Sequence, residues 1–327
     1  MFESVESVVE QLEKQGYICD KQIGTVVFLA HKLGKPVLVE GPAGVGKTEL
    51  AKVVAAALGR ELIRLQCYEG LDEAKALYEW EYSKQLLYTQ ILKDKVAETI
   101  EGATSLREAA EKIGAEDSVF FSDRFIVPRP LMQAINSEEP VMLLIDEVDK
   151  SDPEFEAFLL EVLSDFQVTV PEIGTLVAKT RPLVFLTSND AREMSDALKR
   201  RCLHLWIDYP SHDLEVRILD TKVPGIDQRF ADEIVTTISR IRDLDLKKTP
   251  SISETLDWAR ALLALNANEL EDQLVSDTLN VILKYEGDVK KAQNELGKLL
   301  EKKTAEVTAE QPQQAPEAST QKKGILH

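Results

Sequence analysis

Cysteine, histidine, basic charge and long apolar runs are all in short supply in this chain. Its three cysteines, Cys19, Cys67 and Cys202, are odd in number, far apart and set among apolar or mixed residues. Neither a disulfide framework nor a zinc spacing is supported, and buried free thiols are expected. His31, His204, His212 and His327 form no i, i+4 pair and no cluster with the cysteines, which argues against a metal centre built from protein ligands. There is no Gly-x-Ser-x-Gly nucleophile elbow and no internal repeat of fixed period. No apolar run approaches membrane-spanning length, and the start MFESVESVVEQLEK is acidic and amphipathic, without the basic start and apolar core of a signal peptide. A cytoplasmic protein without a membrane span is expected. Basic residues number 39 against 57 acidic ones, for a net charge of -18. Such a surface repels phosphate backbones and anionic lipid, so nucleic acid is a disfavoured partner.

What is present suits a folded protein of two lobes. Apolar residues make up 44% and charged residues 29% of 327, enough for a sizeable core, and single cores stop growing near about 250–300 residues. Residues 4–33 read as two helices, and Val37-Leu38-Val39 reads as a buried strand that runs into a glycine loop. A helix from near Lys47 stops at Gly59, ELIRLQ at 61–66 is a second strand, and a long charged helix is expected over 71–93. The signal is poor over 95–120. RPLMQAIN at 129–136 is a helix before the strongest strand, VMLLI at 141–145, whose unbroken apolarity implies burial on both faces. After the helix PEFEAFLLEVLSDF, QVTVPEIGTLVAKT alternates around Gly174 like a hairpin, and PLVFLTSN and LHLWIDYP add two strands. Beyond Pro210 only helical patterns follow, near 211–222, 226–243, 251–267 and 269–301. The residues from 303 are rich in Ala, Gln, Pro, Glu and Lys with almost no bulky apolar side chains, and a disordered tail is expected there.

The chemistry is carried by a set of motifs in fixed order. GPAGVGKT, that is Gly41, Pro42, Ala43, Gly44, Val45, Gly46, Lys47 and Thr48, fits G-x-x-x-x-G-K-[ST] between a buried strand and a helix. Glycines let backbone N–H groups curl around phosphates, the helix N-terminus adds positive potential, Lys47 reaches the β and γ phosphates, and the Thr48 hydroxyl serves Mg²⁺. A plain glycine turn accounts for the glycines but not for the Lys-Thr pair. Next, VMLLIDEVDK ends a buried strand in two carboxylates. Asp146 is expected to orient Mg²⁺ through water, and Glu147 to orient or deprotonate an attacking water. LTSND ends a further strand and offers Asn189 as a holder of that water or of a γ-phosphate oxygen. ALKRRC puts Arg200 and Arg201 at a helix end, where a guanidinium can project into a neighbouring subunit's nucleotide, although solubility and a favourable helix C-terminus explain two arginines equally well.

In this order, and followed by a helical lobe, GPAGVGKT, LLIDEVDK, LTSN and ALKRRC resemble the MoxR family of AAA+ ATPases over about residues 20–290. The resemblance implies an α/β P-loop αβα sandwich with a parallel sheet over residues 1–210, with N-terminal helices and a pre-sensor hairpin near 166–179. It implies a smaller all-helical lid over 211–302, ahead of a tail at 303–327. It also implies ATP and Mg²⁺ as ligands, a ring that is usually a hexamer, and Arg201 or Arg200 as an arginine finger. RPLMQAI, LTSNDAREMSDALKRRC, WIDYP and PSISETLDWARAL look like the CoxD subgroup, linked to maturation of carbon monoxide dehydrogenase and related molybdenum hydroxylases with a von Willebrand A-domain protein as partner. One departure is in the lid. Where relatives carry a sensor arginine at a helix start this chain has Ser251, and Arg260 lies two turns later.

The leading expectation is therefore an ATPase that acts as a chaperone on a client metalloenzyme. An AAA+ motor acting on nucleic acid shares the phosphate machinery but needs a basic track, which the charge of -18 opposes. A small-molecule kinase also uses a phosphate loop, but Glu147 with Asn189 and paired arginines suits attack by water better.

Overall fold

The computed structural model describes residues 2–91, 105, 107, 126–170 and 174–300. The stretch near 95–120, except for residues 105 and 107, and the tail expected from 303 lie outside the described residues. Two capped helices begin the chain. In α1 (Val5–Lys14) the Ser4 hydroxyl accepts the Ser7 N–H at 3.1 Å, and in α2 (Lys21–Leu33) the Asp20 carboxylate accepts the Ile23 N–H at 2.9 Å. Each cap satisfies an N–H that the first helical turn leaves orphaned. Then follow β1 (Val37–Glu40), α3 (Lys47–Leu58), β2 (Leu62–Gln66), α4 (Glu73–Leu77), β3 (Tyr78–Trp80), α5 (Tyr82–Ile91), β4 (Ile126–Pro128), α6 (Pro130–Asn136) and β5 (Met142–Asp146). The α/β part closes with α7 (Pro153–Asp165), β6 (Gln167–Val170), β7 (Gly174–Val177), β8 (Leu183–Ser188), α8 (Asp196–Arg201) and β9 (Leu203–Trp206).

Five strands form one parallel sheet in the order β2-β5-β8-β1-β9. Why its central strands are apolar without a break is seen in the two cores it separates. Leu38, Ile63, Leu65, Leu143, Ile145, Val184 and Leu186 face one core with α6, α7 and α8. Their chain neighbours Val37, Val39, Met142, Leu144, Leu183, Phe185 and Leu205 face the other with α1, α2 and α3. Side chains alternate across a strand, so a sheet covered on both faces needs apolar residues at both parities. The fold is thus an αβα sandwich of P-loop type, followed by an all-helical region.

That region holds α9 (His212–Lys222), α10 (Gln228–Arg242), α11 (Ile252–Ala264), α12 (Asp272–Ile282), α13 (Glu286–Asn294) and α14 (Leu296–Leu299). It has its own core around the fully buried Trp258, whose indole N–H donates to Thr278 Oγ1 at 2.8 Å. All three cysteines are buried and unbonded. No helix among the described residues is long and apolar enough to cross a membrane.

Two expected helices are broken. The helix expected over 71–93 stops at Leu77, because Tyr78–Trp80 pairs antiparallel with Ile126–Pro128 and the Leu77 carbonyl accepts the Arg129 N–H at 2.8 Å. Partners far along the chain outbid local helix propensity here, and the helix restarts at Tyr82. The helix expected over 269–301 is three pieces. Leu283 turns extended at the end of α12, and the buried Asp288 carboxylate accepts the N–H groups of Lys247 (2.9 Å) and Lys248 (3.2 Å), which ties the first turn of α13 to that loop. The alternating stretch near Gly174 is a hairpin, β6 with β7, with Thr169 opposite Thr175.

Candidate active site

The functional side chains gather at the carboxyl edge of the sheet, because register places the strand ends side by side. Glu40 ends β1 opposite Ser188 of β8, Gln66 of β2 lies opposite Asp146 of β5, and Ile145 lies opposite Leu186. From Glu40 the chain enters the glycine loop and then α3, whose N-cap Gly46 provides no side-chain bond to the first N–H groups. Those donors are left facing the loop, as an anion at a helix N-terminus requires. Two glycines are dictated by close approach. At Gly41 (φ 146°) a Cβ would lie 1.9 Å from the Ile207 carbonyl oxygen, and at Gly44 (φ 77°) it would lie 2.1 Å from Ser251 Oγ. Any side chain at Gly44 would strike Ser251, the N-cap of the helix Ile252–Ala264 in the helical lobe.

Lys47, 5% exposed, donates from Nζ to the carbonyls of Gly41 (2.7 Å) and Pro42 (2.6 Å). Burial pushes its ammonium down to about 8, against the opposing pull of Asp149, Asp146 and Glu147. The amine thus rests on two carbonyls of its own loop, the partners an arriving phosphate would have to replace.

Asp146 is 1% exposed and has all its acceptor sites engaged. Its Oδ1 accepts from Thr48 Oγ1 (2.8 Å) and Thr187 Oγ1 (2.5 Å), and its Oδ2 accepts from Arg64 Nε (3.0 Å) and Nη2 (2.5 Å). Glu147 has the left-handed φ of 56°, which swings its side chain away from the strand line, and its N–H donates to Thr187 Oγ1 at 2.9 Å. Its Oε2 accepts from Gln66 Nε2 (2.7 Å) and Lys150 Nζ (2.6 Å), and its Oε1 accepts from Asn189 Nδ2 (3.3 Å). Thr48, the Asp146-Glu147 pair and Asn189, from three separate segments of sequence, therefore meet in one network connected through Thr187. Hard cations take oxygen ligands, and a hydroxyl and a carboxylate oxygen 2.8 Å apart beside a lysine and a helix N-terminus fit Mg²⁺ bound together with nucleotide phosphates.

Arg200 and Arg201 are not in this group. They end α8 just before Leu203, which pairs with Val37, the first residue of β1, whereas the glycine loop follows its last. At about 3.3 Å per residue the two edges are at least roughly 10 Å apart, so neither arginine is placed to serve its own loop. Arg201 Nε donates to Ser164 Oγ at 2.7 Å, while Arg200 is exposed with no side-chain partner among the described residues. Arg260 lines a cavity of about 280 Å³ shared with Tyr17, Ile18, Gly44, Ile218 and Leu256, at the junction of the loop and the helical lobe. Its Nη1 donates to Asp257 at 3.2 Å. Ser251 is buried against Gly44 and forms a capping box with Glu254 at the start of α11.

Sequence reasoning missed Arg64, Gln66, Lys150, Thr187 and Asp149. Arg64 and Gln66 stand two apart in β2 and so share a face, a signal that polar side chains leave that strand toward the carboxylates. Asp149 is buried, its Oδ2 accepts the Ala191 N–H at 3.1 Å, and its Oδ1 has no partner among the described residues.

The chain is similar to several known proteins. An uncharacterized protein of Staphylococcus haemolyticus is 26% identical over 262 residues, 77% of this chain and 85% of that protein. One of Staphylococcus aureus is 25% identical over 240 residues, 71% of this chain and 77% of that protein. The Holliday junction branch migration motor RuvB of Thermotoga maritima overlays with a TM-score of 0.45 at 17% identity, covering 86% of this chain and 72% of that chain. The sequence profile of the AAA domain, dynein-related subfamily, matches residues 36–202, from the start of β1 through α8. The chain belongs to that AAA ATPase family.

Proposed function

We propose that the protein hydrolyses ATP with Mg²⁺ and acts as a MoxR-type AAA+ chaperone of the CoxD kind, maturing a metalloenzyme such as a molybdenum hydroxylase with a von Willebrand A-domain protein. The observation that carries the hydrolytic part is the meeting of Thr48, Asp146, Glu147 and Asn189 in one network beside the glycine loop. The chaperone part rests on the motif resemblance and on the charge of -18, which disfavours a nucleic-acid track. Residues 1–210 serve as the nucleotide lobe, 211–302 as the lid, and the hairpin near 166–179 as the pre-sensor insertion.

In this reading the loop amides and Lys47 bind the phosphates, and the base enters the cavity beside Tyr17 and Ile18. Thr48 would hold Mg²⁺ with Asp146 facing it, and the ion would supply neutralisation of phosphate charge. Glu147, steadied by Asn189, holds and accepts a proton from the attacking water. An arginine of the Arg200-Arg201 pair, standing at the edge far from its own loop, acts on a neighbouring subunit in a ring such as a hexamer.

The depressed Lys47 has a measurable consequence. Phosphate favours the ammonium, so binding raises its pKa, and ligand-free molecules near pH 8 must take up about half a proton per nucleotide. Affinity is expected to fall as pH rises through 8 and 9. Calorimetry in two buffers of different ionisation heat measures the uptake; none at pH 8 would mean that the free Lys47 ammonium is not depressed by burial.

Function is tested by phosphate release from ATP by the purified chain, alone and with DNA, an A-domain protein or an apo-hydroxylase added. Stimulation by the A-domain protein or the hydroxylase is expected. Stimulation by DNA alone would replace the chaperone reading with a nucleic-acid motor, and a phosphoester product would make the protein a kinase.

A further inference from the structure

Asp146 is shared between two sets of donors, and the sets differ in kind. On Oδ1 are two hydroxyls, from Thr48 and Thr187. On Oδ2 is a full positive charge, the Arg64 guanidinium, which donates twice. Arg64 Nη2 also donates to Gln66 Oε1, one strand pleat away, which holds the guanidinium in place. The two partners are buried very unequally, since the Asp146 side chain is 2% exposed and that of Arg64 is 46% exposed. A carboxylate so deeply placed spends little time without a counter-charge, because an unpaired buried charge is costly. Arg64, half in solvent, can leave; Asp146 cannot.

We propose that Arg64 is an intramolecular counter-ion that holds Asp146 while the loop carries no nucleotide and gives up that carboxylate when a divalent cation arrives with nucleotide phosphates. This rests on the reading that Asp146 faces Mg²⁺. Two facts favour exchange over a permanent strut. One carboxylate cannot fully neutralise both a guanidinium and a divalent ion, and those two cations repel each other at short range. The guanidinium is also exposed enough to be rehydrated at small cost. Arg64 is thus a positioning residue that sets how much Mg²⁺ the site requires. If Asp146 is free of Arg64 about one-tenth of the time, the apparent cation affinity is weakened about tenfold, since the apparent Kd is the intrinsic Kd divided by the competent fraction.

The experiment uses the full chain and a fluorescent N-methylanthraniloyl ATP, titrated with Mg²⁺ in the unaltered protein and in Arg64→Gln. The variant is expected to reach half-saturation at about tenfold lower Mg²⁺. It is also expected to have a lower Tm without ligand, and to gain more in Tm from Mg²⁺ with ATP than the unaltered protein gains. A strut would lower Tm equally in both conditions and raise the Mg²⁺ requirement; that result, or an unchanged midpoint, overturns the exchange while leaving nucleotide binding intact. Should Arg64→Gln fail to fold, Arg64→Lys keeps the charge but loses the two-point grip on Oδ2. A lowered midpoint in Arg64→Lys supports the exchange and an unchanged one overturns it. If the unaltered protein binds the nucleotide with no dependence on Mg²⁺, the reading of Asp146 itself fails, and that is seen before any variant is made.

Discussion

Glu147→Gln is expected to slow phosphate release by roughly 10²- to 10⁴-fold, the range for removal of a positioned general base, while nucleotide binding stays within about threefold. A left-handed φ of 56° turns Glu147 off the line of β5, and three side chains then fix its carboxylate: Gln66, Lys150 and Asn189. The amide of a glutamine has the same shape and one acceptor oxygen, so much of this network survives the exchange. What disappears is the ability to take a proton. The lost ion pair with Lys150 involves a half-exposed amine, and such pairs are worth at most about 1 kcal/mol, so the fold is expected to be unaffected. Phosphate release and fluorescent-nucleotide binding, measured on the same preparation, decide the matter: full turnover by the variant rules Glu147 out as the base.

The largest loss of stability is expected from Arg242→Met. Arg242 donates to both oxygens of Glu215, at 2.7 and 2.8 Å, and to the Pro250 carbonyl at 2.8 Å. Its guanidinium also lies 4.9 Å from the centre of the Tyr209 ring. Glu215 is 1% exposed and its other donor is Thr255 Oγ1, at 2.8 Å. The cluster joins α9, α10 and α11 to the segment that leaves β9. Removing the arginine leaves a buried carboxylate without its counter-charge, a loss of about 3–5 kcal/mol, or a Tm lower by on the order of 10 °C. Replacing both partners, Glu215→Gln with Arg242→Met, is expected to recover much of the loss, because no charge is then stranded. Because Thr255 sits one turn after Ser251, and Ser251 is packed on Gly44, weaker nucleotide binding is expected alongside. Thermal unfolding of the two variants tests this; equal losses in both would show that the charge is not the cause.

The glycine loop and the apolar strands are legible in the sequence because their causes are local. Gly41 to Thr48 is contiguous, and β5 and β8 announce burial on both faces by having no polar alternation. Asn189 is legible as a polar residue at the end of its own strand. The broken helices were not legible, because what stops α4 is a strand nearly fifty residues later and what separates α12 from α13 is the seat of Asp288 on the backbone of residues 247–248.

The same division runs through the site. Contiguous sequence sufficed to nominate the phosphate loop, the acidic pair and the αβα class, since residue type at fixed spacing carries that chemistry. Folding was needed to put Arg64 and Gln66 on the two carboxylates, to park Lys47 on its own loop, and to leave Arg200 and Arg201 at the far edge of the sheet. Those relations depend on which strand lies next to which and in what register, and register is a long-range property, selected by packing two apolar faces at once and written in no single segment of the chain.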